Sequence, residues 1–196
     1  METKQFSLKV FESIFIENAS DKSKILFKDL WEKSPKNLIM IHWLRRFGWS
    51  LCMMGASDLN ESVAKLNNQY NNSIDFITIG LSYLDYDIFE TNNYISNGKI
   101  YIDESKESYK LMDYKSKGFL NGYGMLNPKV YIDAYKAKNR GFNGNLDGDG
   151  YQLGGTIIVD KKGAIIYTHN QKSYTDYPKE EDIIKALDYY KVKNFI

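Results

Sequence analysis

The amino-acid sequence predicts an α/β fold in which a central mixed β-sheet carries helices on both faces. Leu38–Leu44 is almost continuously apolar, which is typical of a central strand covered on both sides. A segment with apolar residues at helical spacing follows, from about Cys52 to Tyr70, and a second core strand is expected at Ile74–Gly80. Because strands and helices alternate early and a hairpin and a helix close the chain, one layered sheet accounts for the pattern.

Shorter elements are expected around this central unit. Alternating apolar residues at Phe6, Leu8 and Val10, with Phe15 beyond them, predict an N-terminal strand or hairpin arm. Pro178, followed by acidic residues, marks the start of the last helix. The other expected elements are a strand running into a helical turn at Ile25–Trp31, a strand at Lys99–Ile102, a helix at Ser105–Asp113, a glycine-rich loop at Gly118–Asn127, a helix at Pro128–Asn139, a loop at Gly141–Gly155, a hairpin of Thr156–Asp160 and Ala164–His169, and a helix at Glu180–Lys191.

The composition is ordinary for a globular protein. The 196 residues are expected to form a single domain, 1–196, and the formal net charge of +1 gives no global electrostatic reason to expect nucleic acid or acidic membranes as partners. The single cysteine cannot form an internal disulfide and suits a reducing compartment. With no secretory signal and no membrane-spanning run in the sequence, we expect a cytoplasmic protein.

The stretch Arg45–Cys52, with the sequence RRFGWSLC, joins the first core strand to the next helix. Thioredoxin-fold proteins place their redox centre, normally Cys-x-x-Cys, at such a junction. Cys52 occupies the second cysteine position here, and Trp49 occupies the first. The sequence therefore predicts a thioredoxin-like fold that carries one of the two redox thiols.

A family resemblance extends over roughly Val10 to Tyr190. It is carried, in order, by Leu30–Glu32 with Arg45–Gly48, by Ile100–Lys106 with Tyr109–Lys110, by Ala137–Lys138 through Gly144–Leu146 and Gly148–Asp149 to Gly154–Gly155, and by Gln171–Ser173 with Asp176–Glu180. On these segments the chain resembles the peroxiredoxin-like proteins of the alkyl hydroperoxide reductase and thiol-specific antioxidant superfamily, and within it the prostamide/prostaglandin F synthase group. The resemblance implies reduction of a prostaglandin H-like endoperoxide with electrons from NADPH, at a Cys-x-x-Cys centre from which Trp49 departs.

Cys52 has two interpretations. As a thiolate, favoured by the helix N-terminus and by Arg45 or Arg46, it would attack a peroxide O–O bond and form a sulfenic acid that an external thiol resolves. Alternatively, Cys52 is a small buried apolar residue at a helix start.

Three residues beside Cys52 also have two interpretations each. Trp49 is expected at an exposed loop position, where it would stack on a lipid substrate or a protein partner, or else cap the pocket in place of the missing thiol. Arg45 and Arg46 would hold a substrate carboxylate, or else form a pair of surface charges with one stem packed on the sheet.

Gly154, Gly155 and Thr156 complete the predicted substrate-binding residues. In thioredoxins a cis-proline faces the redox centre at this point, and the resembling family has Gly-Gly. Gly155 is therefore expected to lie across from Cys52, where its backbone could approach a substrate closely.

No metal and no bound cofactor are predicted. Asn145–Gly150 imitates the start of a calcium loop, but the position that needs a bidentate Glu is Thr156. His42 and His169 lack the spacing of a zinc site, and His42 is expected to be a core residue. No Gly-x-Gly-x-x-Gly motif follows a strand, so NADPH would act indirectly through a thioredoxin-type reductant.

Two functional hypotheses follow. In the first, the protein is a thiol-dependent oxidoreductase that reduces a peroxide or a prostaglandin H-like endoperoxide through Cys52, with thioredoxin or another protein as partner. In the second, it is a catalytically degenerate thioredoxin-fold protein that acts as a binding or structural subunit. The aromatic fraction of 15% would supply material for such an interface.

Overall fold

The computed structural model describes residues 11–116 and 127–194. The expected strand at Phe6–Val10 and nearly all of the expected loop at Gly118–Asn127 lie outside these residues. The strands are β1 (Phe15–Asn18), β2 (Lys24–Leu26), β3 (Leu38–Trp43), β4 (Ile74–Gly80), β5 (Gly98–Ile102), β6 (Gly155–Asp160) and β7 (Ile165–Asn170). The helices are α1 (Asp29–Glu32), α2 (Ser50–Gln69), α3 (Tyr86–Thr91), α4 (Glu107–Leu111), α5 (Pro128–Asn139) and α6 (Glu180–Asn194).

The strands form one mixed sheet in the order β2-β1-β5-β4-β3-β6-β7. The three central strands β5, β4 and β3 are parallel, and the outer pairs are antiparallel. All residues of β3 and β4 are buried, as expected for parallel strands that are covered on both faces. The predicted α/β architecture with a mixed sheet is therefore confirmed.

Helices cover both faces because side chains alternate along each strand. In β3, Met40 belongs to the core cluster that includes α2 and α6 residues, whereas Ile41 belongs to the cluster that includes α1 and α4 residues. No helix among residues 11–116 and 127–194 is long and apolar enough to span a bilayer.

The segment that carries Cys52 leaves the sheet where β3 ends. Trp43 pairs with Gly155 at this edge, so β3 ends where β6 begins. The buried Tyr109 hydroxyl donates to the carbonyls of Leu44 and Ile79, at 2.7 and 2.8 Å, and so fixes the chain just after β3. We refer to this edge of the sheet as the redox edge.

Candidate redox site

Cys52 lies in the first turn of α2. The helix begins at Ser50, two residues earlier than predicted, and Trp49 is its N-cap residue with an extended backbone and no side-chain capping bond. The first turn also contains no acidic residue. The positive end of the helix dipole is therefore not neutralised by a cap or a carboxylate, which favours a negative charge nearby. The Cys52 side chain is 1% exposed.

Trp49 is buried, with 5% of its surface exposed, so the expectation of an exposed loop position is wrong. Its ring lies 4.1 Å from the Arg45 guanidinium carbon and 5.2 Å from that of Arg46. It also meets the Tyr174 ring edge-on, with 5.4 Å between centroids. Trp49 is thus held by side chains of this chain and offers little surface to a lipid or a partner.

Arg45 is buried, with 1% of its surface exposed, so the interpretation as a surface charge is wrong for this residue. Its guanidinium lies against the rings of Trp49 and Tyr174, the latter at 4.5 Å, and Nη2 donates to the Tyr174 carbonyl at 3.4 Å. Its Nε and Nη1 make no hydrogen bond, and no carboxylate of the described residues forms an ion pair with it. A buried guanidinium without an ion-pair partner attracts any anion that can reach it.

Arg46 points toward the loop after α5. Its Nη1 donates to the carbonyls of Leu146 and Asp147, at 2.5 and 3.0 Å. Burial lowers the pKa of the Arg46 guanidinium, and the nearby Cys52 opposes that shift. Arg45 and Arg46 border a small pocket of about 110 Å³, together with Lys106, but Cys52 does not line this pocket.

Tyr177 covers the first turn of α2. Its hydroxyl donates to the Leu51 carbonyl at 2.7 Å, and a Cβ on Gly55 would lie 2.2 Å from its ring. Burial raises the pKa of Tyr177, and Cys52 adds to the rise while Arg45 opposes it. Tyr177 therefore lies within electrostatic range of both Cys52 and Arg45.

Two parts of the site were not assigned from the sequence. Tyr174 and Tyr177 follow β7, far along the chain, and only Tyr177 lay within a segment of family resemblance. In the loop after α5, the backbone N–H of Asn145 donates to the Gly48 carbonyl at 2.7 Å, and a Cβ on Gly144 would come within 2.4 Å of that oxygen. Only a glycine at 144 lets the two backbones approach so closely, and this glycine was a sequence signal that could have been used.

Other residues of this chain, and not an open pocket, lie next to Gly154, Gly155 and Thr156. A Cβ on Gly154 would lie 1.9 Å from the Trp43 carbonyl oxygen, and one on Gly155 would lie 2.4 Å from the Tyr114 ring. Thr156 is fully buried, and its Oγ1 lies 2.9 Å from Nδ1 of His42. Packing of β6 against β3 accounts for these three residues, and their assignment to substrate remains a prediction.

His42 is buried in β3, as expected for a core residue. Burial lowers its pKa to about 3, and the positive charge of Arg45 acts in the same direction. The imidazole is therefore neutral at physiological pH.

In the loop that resembles the start of a calcium site, polar side chains are bound to other residues of this chain. Asp149 forms an ion pair with Lys106 at 2.6 Å. The side-chain amide of Asn145 donates to both carboxylate oxygens of Asp85 at 3.1 Å. Across the described ranges, no three His, Cys, Asp or Glu side chains are grouped so that they could hold a metal ion. These acidic residues therefore serve the structure of the loop.

Comparisons with known proteins agree with the fold. Residues 58–173 match the family described as AhpC/TSA antioxidant enzyme, a range that begins after Cys52. Among solved structures, the bacterioferritin comigratory protein of Xanthomonas campestris has a TM-score of 0.60 at 9% identity, over 93% of this chain and 94% of that chain. Peroxiredoxin 6 of Arenicola marina has a TM-score of 0.64 at 9% identity, over 98% and 76%.

The chain belongs to the AhpC/TSA antioxidant enzyme family, a family of thiol oxidoreductases with a thioredoxin-like fold. Within it, the chain is 34% identical to prostamide/prostaglandin F synthase of Xenopus tropicalis over 177 residues, which cover 89% of this chain and 85% of that protein. The Homo sapiens protein of the same name is 35% identical over 162 residues, which cover 82% and 78%.

Proposed function

We propose that this protein is a thiol-dependent reductase of a peroxide or a prostaglandin H-like endoperoxide, with Cys52 as its only redox residue. The observation that carries the proposal is the buried Arg45, whose positive charge has no carboxylate partner among the described residues. The N-terminus of α2, where Cys52 lies, has no side-chain cap, and with Arg45 it makes this part of the protein suited to an anionic group of a substrate or intermediate.

The chemistry needs one thiol of this chain and two from outside. The Cys52 thiolate attacks one oxygen of the O–O bond, which breaks and leaves the other oxygen as an alkoxide that takes up a proton. A hydroperoxide gives a sulfenic acid and an alcohol, whereas a cyclic endoperoxide gives a sulfenate ester on the same molecule. One external thiol then displaces the remaining oxygen as water or alcohol, and a second external thiol releases Cys52 and leaves with the first as a disulfide.

External thiols are needed because Trp49 replaces the first cysteine of the motif. A Cys-x-x-Cys centre resolves its intermediate within one chain, and Trp49 stands where the first thiol would be. We propose that a thioredoxin-type partner supplies both thiols and that NADPH supplies its electrons, without a cofactor bound to this chain. A reducing compartment such as the cytoplasm, and a single domain over 1–196, fit this proposal.

The burial of Cys52 sets a condition on the reaction. Only 1% of its surface is exposed, and Tyr177 lies over the first turn of the same helix. A peroxide therefore reaches the sulfur only after this cover moves, so the reaction is expected to be slow.

The same burial favours a second candidate function. If the cover does not move, Cys52 is inert and the protein is a catalytically degenerate member of its family that binds a partner. The packing of Trp49 against Arg45 and Tyr174, which closes the centre without a second thiol, is the observation that favours this candidate.

The two candidates are separated by oxidation of NADPH in the presence of thioredoxin, its reductase and either a hydroperoxide or a prostaglandin H-type endoperoxide. The enzyme hypothesis predicts slow turnover by the wild type, none by Cys52→Ser, and faster turnover by Trp49→Cys, which places two thiols at the spacing of the family centre. If wild type and Cys52→Ser are equally inert and Trp49→Cys gains nothing, the binding function replaces the enzymatic one.

A further inference from the structure

A second cleft lies at the edge of the sheet opposite the redox edge. It forms where β3 and β4 begin and β6 ends, and its volume is about 420 Å³. This volume lies within the range typical of small-molecule sites, about 300–1,000 Å³. We call it the lysine cleft, because Lys161, Lys162 and Lys191 line it.

The inner surface of the lysine cleft is apolar and aromatic. Leu38 and Leu187, which are almost fully buried, belong to the core cluster beneath it. Tyr70 and Tyr190 add two half-buried rings at the ends of α2 and α6. A ligand with a flat apolar body would cover surface that is now in contact with water.

The positive charges of the cleft are not neutralised by ion pairs. Within the part of the chain that the structure describes, no carboxylate lies within ion-pair distance of Lys161, Lys162 or Lys191. Lys191 lies over the Tyr70 ring, with Nζ 6.0 Å from its centroid. The charges of Lys161 and Lys162, on the turn, are therefore the ones most available to a ligand.

One carboxylate, that of Asp160, lines the cleft, and it is bound to donors of this chain. Asp160 accepts hydrogen bonds from the Tyr190 hydroxyl at 3.1 Å and from the amides of Lys162 and Ala164 at 2.8 Å. Asp188 accepts from the Tyr70 hydroxyl at 2.6 Å. Burial raises the pKa of Tyr70 to about 12, so this donor keeps its proton at neutral pH.

Asp160 also holds two of the lysines in place. Its side chain fixes the turn between β6 and β7, and Gly163 closes the turn with a φ of 77°. Because the backbone of Lys161 and Lys162 is fixed in this way, a ligand does not have to order the turn when it binds.

From these observations we propose that the lysine cleft binds a small aromatic anion, in which a carboxylate, sulfonate or phosphate group is joined to a flat apolar body. The anionic group contacts the lysines and the body lies over the leucines and tyrosines. The site is independent of the proposed redox function, because it lies at the other edge of the sheet.

The first experiment titrates the full-length protein with 8-anilinonaphthalene-1-sulfonate and follows its fluorescence under native conditions. The expected result is saturable binding at one site that weakens when ionic strength is raised to about 1 M, where the screening length falls to about 3 Å. N-phenyl-1-naphthylamine, which has the same aromatic body without the sulfonate, is expected to bind more weakly. Inorganic phosphate, which has the charge without the body, is expected not to displace the probe at equal concentration.

The second experiment locates the site with charge-matched variants. Lys161→Gln combined with Lys162→Gln should raise the dissociation constant of the probe about tenfold, equal to about 1.4 kcal/mol. Lys110→Gln combined with Lys138→Gln removes the same charge from exposed positions outside the cleft, and it should leave the dissociation constant unchanged. The proposal is overturned if the native protein does not bind the probe, if both double variants weaken binding equally, or if the neutral analogue binds as tightly.

Discussion

The two edges of the sheet hold positive charge in opposite ways. At the redox edge, Arg45 is 1% exposed and is held by the rings of Trp49 and Tyr174, without a carboxylate among the described residues. At the other edge, Lys161 and Lys162 are exposed on a fixed turn. A buried unpaired cation costs folding free energy, whereas an exposed lysine costs almost none. The redox edge is therefore where the protein gives up stability, as expected of a functional site.

The largest expected effect tests how tightly the redox edge is packed. Gly154→Ala would place a Cβ 1.9 Å from the Trp43 carbonyl oxygen, so β6 would have to move away from β3. We expect a loss of about 3 kcal/mol in the free energy of unfolding, measured with urea. Gly150→Ala is the matched control, because the nearest atoms to its Cβ are the flexible end of Arg46 at 3.6 Å. Equal effects of the two substitutions would contradict the close approach.

The next effect is a pH dependence of stability from His42. Its pKa is about 3 in the folded protein and 6.5 in the unfolded chain, so between these values the unfolded chain binds the extra proton. Stability from the neutral imidazole is complete above pH 6.5 and is lost as the pH falls toward 3. Between pH 7 and pH 5 we expect a loss of about 2 kcal/mol, measured by urea unfolding at each pH. In His42→Gln this loss should shrink, and an unchanged slope would show that other groups cause it.

A smaller effect of opposite sign is expected for Arg45→Met. The substitution removes a buried charge that has no carboxylate partner but also two cation–π contacts, and we expect stabilisation by about 1 kcal/mol. Under the proposed function, peroxide reduction should fall at the same time, because the site loses a buried positive charge. Arg46→Met is the contrasting variant, since it removes two hydrogen bonds to carbonyls and should destabilise by about 1 kcal/mol. If both variants destabilise the protein equally, the buried charge of Arg45 does not cost folding free energy. The contrast drawn between the two edges would then be wrong.

The smallest effect on stability belongs to the lysine cleft. Lys161→Gln combined with Lys162→Gln should change the free energy of unfolding by no more than about 0.5 kcal/mol, because neither side chain is buried or ion-paired among the described residues. Thermal unfolding without ligand measures this directly. A larger loss would mean that these lysines stabilise the turn.

The sequence predicted local elements better than it predicted the site. The bounds of β4 and α5 agree with the structure residue for residue, because a run of apolar residues and Pro128 are local signals. The predicted exposure of Trp49 is wrong, because its burial depends on Tyr174, more than a hundred residues away. Gly155 was expected to bring its backbone close to a substrate, but the atoms nearest to an added Cβ are in the Tyr114 ring and the His169 carbonyl, and only tertiary packing and strand pairing reveal these neighbours.

The central claim is that Cys52 attacks peroxide despite its burial, and trapping of its sulfenic acid tests this most directly. The native protein would be treated with one equivalent of a hydroperoxide in the presence of dimedone and measured by intact mass spectrometry, with Cys52→Ser as the control. The account predicts one adduct on the wild type, located at Cys52, and none on the variant. The contradicting result is a wild type that forms no adduct while folded but forms one when the same protein is treated in urea, because that outcome would make Cys52 a core residue and not a redox residue.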